Sequence, residues 1–311
     1  MTCRLSFLSF CCVVAILGAA GPSMAEVTAE QSGDKVVVKI DGESFAEYVP
    51  DFHGTPIIWP IIGPTGKPMT RAYPMGEGPG EKQDHVHHRS LWFTHGDVNG
   101  LSFWDRETIK HRRYVKVESG AQAVIVTENE WLAPDGKRQC DDQRTLTFGT
   151  DGDARWVDFD ITIKASDGVV KFGDTKEGTF GVRVAGTMKA TSDPPGRIVN
   201  SEGQTDGDAW AKKAAWVDYQ GPVAGEIVGI AILNHPSSFR FPTYWHVRTY
   251  GLFAANPFGL HDFVRGQQVD GSHTLNPGET MTFRYRVLFH RGDEKVGKVA
   301  EAFADYSKQV K

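Results

Sequence analysis

The sequence predicts an all-β protein, a large antiparallel β-sandwich closed by a short C-terminal helix. Three observations carry that prediction: apolar and polar residues alternate with a period of two over long runs, turn signals separate those runs, and helical periodicity is scarce. Residues 35–40, the dipeptide Asp41-Gly42 and residues 44–49 read as a hairpin, because Asp-Gly accepts the positive φ of a tight turn. The same pattern recurs over 123–133, Asp135-Gly136 and 138–148, and again over 156–163, where sides are exchanged at every step. Further strands are expected at 179–188, 226–233, 244–250 and 280–290. Residues 206–215 hold two helical turns at most. After Asp293, Val296, Val299, Ala300, Phe303 and Tyr306 fall on one stripe, as a closing amphipathic helix requires. Strands without interleaved helices exclude a parallel α/β sheet. No repeat and no low-complexity linker divides residues 26–311, so they read as one all-β domain that must stack two broad sheets or close a barrel.

The 311 residues carry 34 basic and 39 acidic side chains, a net charge of −5, which excludes binding to nucleic acid through a general basic field. Residues 1–25 read as a secretory signal: Arg4 precedes an apolar stretch over 5–20, and Ser23-Met24-Ala25 suits cleavage after Ala25. From Glu26 onward neither a longer apolar run nor a basic flank supports a membrane anchor, and no later segment approaches the ~20 apolar residues of a spanning helix. The expected location is therefore periplasmic or secreted, with no membrane partner after cleavage. Cleavage removes Cys3, Cys11 and Cys12 and leaves Cys140 alone, so the fold rests on core packing without an internal disulfide. Cys140 lies beside Asp141 and Asp142, whose charges disfavour a thiolate nucleophile.

The densest polar cluster is Asp84-His85-Val86-His87-His88-Arg89, followed by His95-Gly96-Asp97-Val98-Asn99-Gly100. In an extended backbone His85 and His87 share one face and His88 takes the other, so His85 and His87 form a possible metal-binding pair; the alternative is that they are hydrogen-bonded loop histidines. Further along lie Asn234-His235-Pro236, then Tyr244-Trp245-His246-Val247-Arg248, then Asn256-Pro257-Phe258-Gly259. Trp245 is either a platform for a sugar ring or a filler of the sheet interface, and strict alternation turns His246 away from it. Alternation also places Glu177, Thr179, Gly181 and Arg183 on one face, with Glu177 and Arg183 about 20 Å apart, a spacing that brackets a ligand. A carboxylate facing a histidine across a cleft is the minimum set for acid–base catalysis. No Gly-x-Ser-x-Gly elbow, phosphate loop, dinucleotide fingerprint or His-Glu-x-x-His occurs, which disfavours a serine or cysteine hydrolase.

Trp59-Pro60, Gly63-Pro64-Thr65-Gly66-Lys67-Pro68, the two histidine-rich segments, Asp174-Thr175-Lys176-Glu177-Gly178, Tyr244 to Arg248 and Asn256 to Gly259 together resemble a bacterial secreted family often labelled "methane oxygenase PmoA". The methane monooxygenase subunit of that name crosses the membrane several times, and this chain has no spanning segment after its leader, so the activity in the label is not expected. Leu275-Asn276-Pro277-Gly278-Glu279 and the strand after it resemble the close of galactose-mutarotase-like supersandwiches. That resemblance implies a sugar cleft across one sheet, with His88 or His246 as acid and Glu177 as base. It implies Arg89, His95, Asp97, Arg183, Trp245 and Asn256 in the cleft lining, and His85, His87 and His235 complete the expected substrate-binding set.

The sequence thus points to an exported carbohydrate-active protein doing acid–base chemistry on a sugar or modified glycoside, as epimerase, lyase or hydrolase, with no cofactor required. Two alternatives stand beside it. One is a metal-dependent enzyme in which His85 and His87 are joined by His95, His246 or Glu177; the other is a non-catalytic glycan-binding module built on Trp245.

Overall fold

Period-two alternation is realised as a series of antiparallel strands in the computed structural model, which describes residues 2, 25–78 and 80–311. The expected leader falls outside the described residues except for Thr2 and Ala25. The strands are β1 (Val27–Ser32), β2 (Lys35–Ile40), β3 (Glu43–Val49), β4 (Ile57–Ile61), β5 (Leu91–His95), β6 (Thr108–Glu118), β7 (Ala123–Leu132), β8 (Arg138–Asp151) and β9 (Ala154–Lys164). They continue as β10 (Val170–Phe172), β11 (Gly178–Arg183), β12 (Arg197–Asn200), β13 (Trp216–Val223), β14 (Glu226–Asn234), β15 (Trp245–Val247), β16 (Leu252–Ala255), β17 (His273–Leu275) and β18 (Thr280–Arg291). Two short helices, α1 (Leu260–Phe263) and α2 (Val299–Tyr306), complete the regular structure.

Two eight-stranded sheets result. The first runs β1-β2-β3-β4-β5-β11-β16-β15 and the second β12-β13-β14-β18-β9-β8-β7-β6, with β10 and β17 paired apart from them. Every neighbouring pair is antiparallel, as the single-faced alternation of the strands requires. Their inner faces enclose one apolar core in which aromatic rings meet across the sandwich: Phe180 stacks on Tyr285 at 4.7 Å, and Phe45 meets Phe148 edge-on at 6.0 Å.

Each sheet also covers apolar residues on its outer face. Helix α2 lays Val299, Phe303 and Tyr306 over Trp156, Leu233 and Leu288 of the second sheet. Outside the first sheet, Trp104 packs on Trp92, Leu252 and Ala254. Gly181 makes this last packing feasible, since a Cβ there would stand 2.7 Å from the Trp92 ring.

Several elements differ from the expectation. The strand read over 179–188 ends at Arg183 and gives way to a single 3-10 turn at Gly186–Met188. The strand read over 244–250 keeps only Trp245–Val247, and the stretch 206–215 forms one 3-10 turn, Asp206–Ala209. Val296 precedes α2 and is exposed, because the helix starts only at Val299. Strand β6 escapes an alternation reading because it is a charged edge strand with two register shifts against β7. Among the described residues no helix is long and apolar enough to cross a membrane.

One polar network lies inside the sandwich. Asp142 receives Arg144 through Nε and Nη2, each at 3.0 Å, the indole N–H of Trp131 at 2.7 Å and the amide of Asn129 at 2.7 Å. Asp142→Ala leaves a buried guanidinium without its counterion and should cost about 3–5 kcal/mol, read as a lower urea midpoint. The double change Asp142→Ala with Arg144→Met should recover part of that loss, because no unpaired charge then remains.

Candidate functional site

The outer face of the first sheet carries a cleft of about 470 Å³ whose lining includes His85, His87, His88, Glu177, His246 and Tyr250. Three separate segments supply these groups: the turn before β5, the loop before β11, and β15 with the residues that follow it.

The first segment is shaped by buried charge. Arg71 and Arg183, both nearly inaccessible, converge on Asp84: Arg71 Nη1 lies 2.7 Å and Arg183 Nη2 3.4 Å from its Oδ1. Arg71 Nη2 also donates to the carbonyls of Asp84 and His85 at 2.9 and 3.0 Å. Two guanidiniums taken from water need such acceptors, and the chain folds round them. His85 consequently sits at φ 47°, and the His88 amide closes a turn onto the His85 carbonyl at 2.9 Å. The segment is therefore a turn, and not the extended run in which His88 would oppose its neighbours. Ring centroids of His85 and His88 stand 4.8 Å apart, and those of His87 and His88 4.7 Å. Tyr250, His85, His88 and Trp92 form a continuous file of stacked rings.

Protonation follows from the same contacts. Arg183 Nη1 stands 3.2 Å from His88 Nδ1, and since a guanidinium only donates, Nδ1 accepts and the ring proton resides on Nε2. Burial, then the charge of Arg183, drives the His88 pKa far below its ordinary value. His246 has the same arrangement on the far wall. The Trp210 indole N–H donates to its Nδ1 at 2.9 Å, and burial, helped by Arg248 and Lys176, pushes its pKa down to about 3. Among the described residues no protein group bonds the Nε2 of either ring. With Nδ1 engaged, each ring in its neutral form carries its proton on Nε2 and acts as an N–H donor there. For Asp84, burial works upward, but His85, Arg71 and Arg183 together outweigh it and hold the carboxyl below its usual range.

Glu177 stands in the loop before β11, with Lys176 Nζ 3.1 Å from its Oε1. Contacts from beneath fix that loop. Gly96 N–H donates to the Glu177 carbonyl at 2.7 Å, Gly173 N–H to the Asp97 carbonyl at 2.8 Å, and Asn256 Nδ2 to the Thr175 carbonyl at 2.9 Å. His95 donates through Nε2 to the Gly173 carbonyl at 2.9 Å, and burial lowers its pKa to about 4.

The expected site residues therefore separate. His85, His87, His88, Glu177 and His246 share the cleft. Arg183 lies under the imidazoles, so it does not bracket a ligand against Glu177. His95, Asp97 and Asn256 are under the loop and hold it, which puts them outside the lining. Arg89 turns away and donates to the carbonyls of Phe52 and His53 and to the Thr55 hydroxyl. Trp245 is fully buried between the sheets with its N–H on the Ala214 carbonyl, so it offers no platform to a ligand. His235 lies against Tyr306 under helix α2, on the other sheet. Among the described residues no group of three or more His, Cys, Asp or Glu side chains is arranged to hold a metal ion.

Among the other lining residues, Lys176 and Arg248 stood in motifs already singled out but were given no role, and Trp104, Asp105, Arg106 and Tyr250 escaped the sequence reading. Trp104-Asp105-Arg106, an aromatic beside opposite charges shortly after Asn99-Gly100, was the one local signal; Arg71 had none.

A model of the family described as "Family of unknown function (DUF6807)" matches residues 35–304. The chain belongs to that family. No curated protein matches it. Among solved structures, the GH36 α-galactosidase AgaA from Geobacillus stearothermophilus, a double variant in complex with raffinose, aligns with a TM-score of 0.38 and 11% identity over 86% of this chain. This chain spans 40% of that enzyme's length. A galactose mutarotase related enzyme from Lactobacillus acidophilus aligns with a TM-score of 0.24 and 9% identity, covering 85% of this chain and 97% of that one. Likenesses this slight carry nothing about the site, and none of these matches bears on the methane-oxygenase label.

Two outcomes follow for this DUF6807 protein. A Cβ at Gly96 would lie 2.7 Å from the Glu177 carbonyl oxygen, so Gly96→Ala should destabilise by about 1–3 kcal/mol in thermal unfolding and displace the Glu177 loop. The second concerns acid. His246 binds no proton in the folded state until about pH 3, whereas the unfolded chain takes one up near 6.5, so its contribution to stability falls as pH drops through that window. His246→Asn should flatten the pH dependence of unfolding between pH 6 and 4, by at most about 1.4 kcal/mol per pH unit.

Proposed function

We propose that the protein is exported and that the cleft binds a sugar and carries out proton transfer on it. The observation behind this reading is that a solvent-accessible carboxylate, Glu177, shares a cleft with two neutral imidazoles whose Nδ1 atoms are already engaged. Their Nε2–H groups suit a substrate oxygen on which negative charge develops. The indole N–H of Trp104 is buried without a protein partner, a further donor at the cleft wall. Trp104 and Tyr250 among polar groups match the mixed apolar and hydroxylated surface of a sugar ring.

Such a set favours abstraction of a proton beside a carbonyl. Glu177 takes the proton from carbon, and the C–H electron pair moves to make an enolate whose oxygen accepts from the imidazole N–H groups. Delivery of a proton from water to the opposite face, with the proton on Glu177 passing to solvent, gives epimerisation, while departure of a group from the adjacent carbon with its bonding electron pair gives elimination. Hydrolysis is a second reading, favoured by one observation: Asp105 lines the same cleft as Glu177, and both carboxylates act on His87, whose pKa burial and His85 lower and these two raise.

Incubating the mature protein with a panel of glycosides, keto-sugars and uronates in deuterated water tests the proposal. Solvent deuterium should enter a carbon of the substrate or product. Glu177→Gln should lower turnover by about 10²–10⁴-fold with the melting temperature within a few degrees of wild type. Full activity in Glu177→Gln would remove the carboxylate from the mechanism, and hydrolysis without deuterium on carbon would select the second reading.

A further inference from the structure

We propose that the sugar is acidic, and that Arg248 and Arg265 beside Trp210 bind its carboxylate or sulfate. The proposal rests on the reading of the cleft as a sugar site and adds the substrate class. Trp210, Arg248 and Arg265 line a second hollow of about 280 Å³. Arg248 belongs to both hollows, and the Trp210 hydrogen bond to His246 joins their walls, so one ligand can extend from the cleft to Trp210.

Charge pairing distinguishes these two arginines from Lys176 and Arg106, the other cations of the cleft lining. Within the cleft, Glu177 has Lys176 at 3.1 Å and Asp105 has Arg106 at 3.7 Å. Among the described residues no carboxylate forms an ion pair with Arg248 or Arg265, and no protein acceptor takes a hydrogen bond from either guanidinium. Each instead lies over the Trp210 ring, at 5.6 and 5.5 Å from its centroid, and Arg248 also lies 5.7 Å from that of Tyr250. An aromatic face holds a guanidinium by its plane and leaves the N–H edge free, the edge that matches a carboxylate or sulfate. The chain as a whole carries a net charge of −5, so two unpaired cations at one concave site oppose the general field and favour an anion there.

The test is retention of the mature protein on a glycan library containing oligouronates, the same oligouronates as methyl esters, sulfated oligosaccharides and neutral oligosaccharides. Binding should favour free acids or sulfates over methyl esters and neutral sugars by at least about tenfold, and should weaken as salt rises. Preference for uronates or for sulfates identifies which acidic group is read. Arg265→Gln should cost at least about tenfold on acidic glycans while Arg265→Lys retains part of the binding, with both variants melting as wild type does; Arg248→Gln gives an independent second loss. Equal retention of methyl esters and free acids, or an unchanged preference in Arg265→Gln, would overturn the acidic-group assignment and leave the sugar reading standing. Retention of no glycan at all would overturn both.

Discussion

Two guanidiniums removed from water, Arg71 and Arg183, set the terms for this site. A buried charge of that size costs several kcal/mol unless it meets acceptors, and Asp84 is the carboxylate that both reach. The turn through His85 and the stacked file from Tyr250 to Trp92 follow from satisfying that pair, and the charge of Arg183 adds to burial in keeping His88 neutral. Arg183 alone donates to His88, carries the Tyr250 ring over its guanidinium at 5.0 Å and touches Asp84. Its own pKa is lowered to about 10, by burial first and by Arg71 next, which shows how closely the two cations are held.

Scaffold and chemistry are divided between two depths. Below the surface, His95, Gly96, Asp97 and Asn256 bind the backbone of the loop that carries Glu177. Above them, Glu177, His85, His87 and a few aromatic and charged groups remain accessible, while His88 and His246 line the cleft with almost no exposed surface. His95 is wholly buried beneath that loop, with Nδ1 left without a partner. Its environment favours the neutral ring, and its Nε2–H holds a carbonyl in place. Trp210 does for His246 what Arg183 does for His88: each fixes Nδ1 as an acceptor and so directs the proton to the other nitrogen.

Alternation made much of the fold legible in the sequence. Strand β7 alternates without a break, β8, β9 and β18 do so over most of their length, and β14 reads as a continuous apolar run; all five were placed to within a few residues, whereas β6, bulged and charged at an edge, was not. The same rule separated Trp245 from His246, and the structure keeps that separation, the indole in the core and the imidazole in the cleft. It failed for Asp84 to His88, where a turn replaced the extended backbone that the alternation argument assumes.

The sequence by itself determined the all-β class and which side of a regular strand each residue takes, because the direction of a side chain along a strand depends only on local φ and ψ. Only the tertiary structure decided which polar residues face solvent and which support them, and which nitrogen of each histidine carries its proton. Those outcomes depend on partners far away in the chain: Arg183 meets a carboxylate 99 residues earlier, and Trp210 meets an imidazole 36 residues later. Desolvation and charge pairing act through space, so no local period records them.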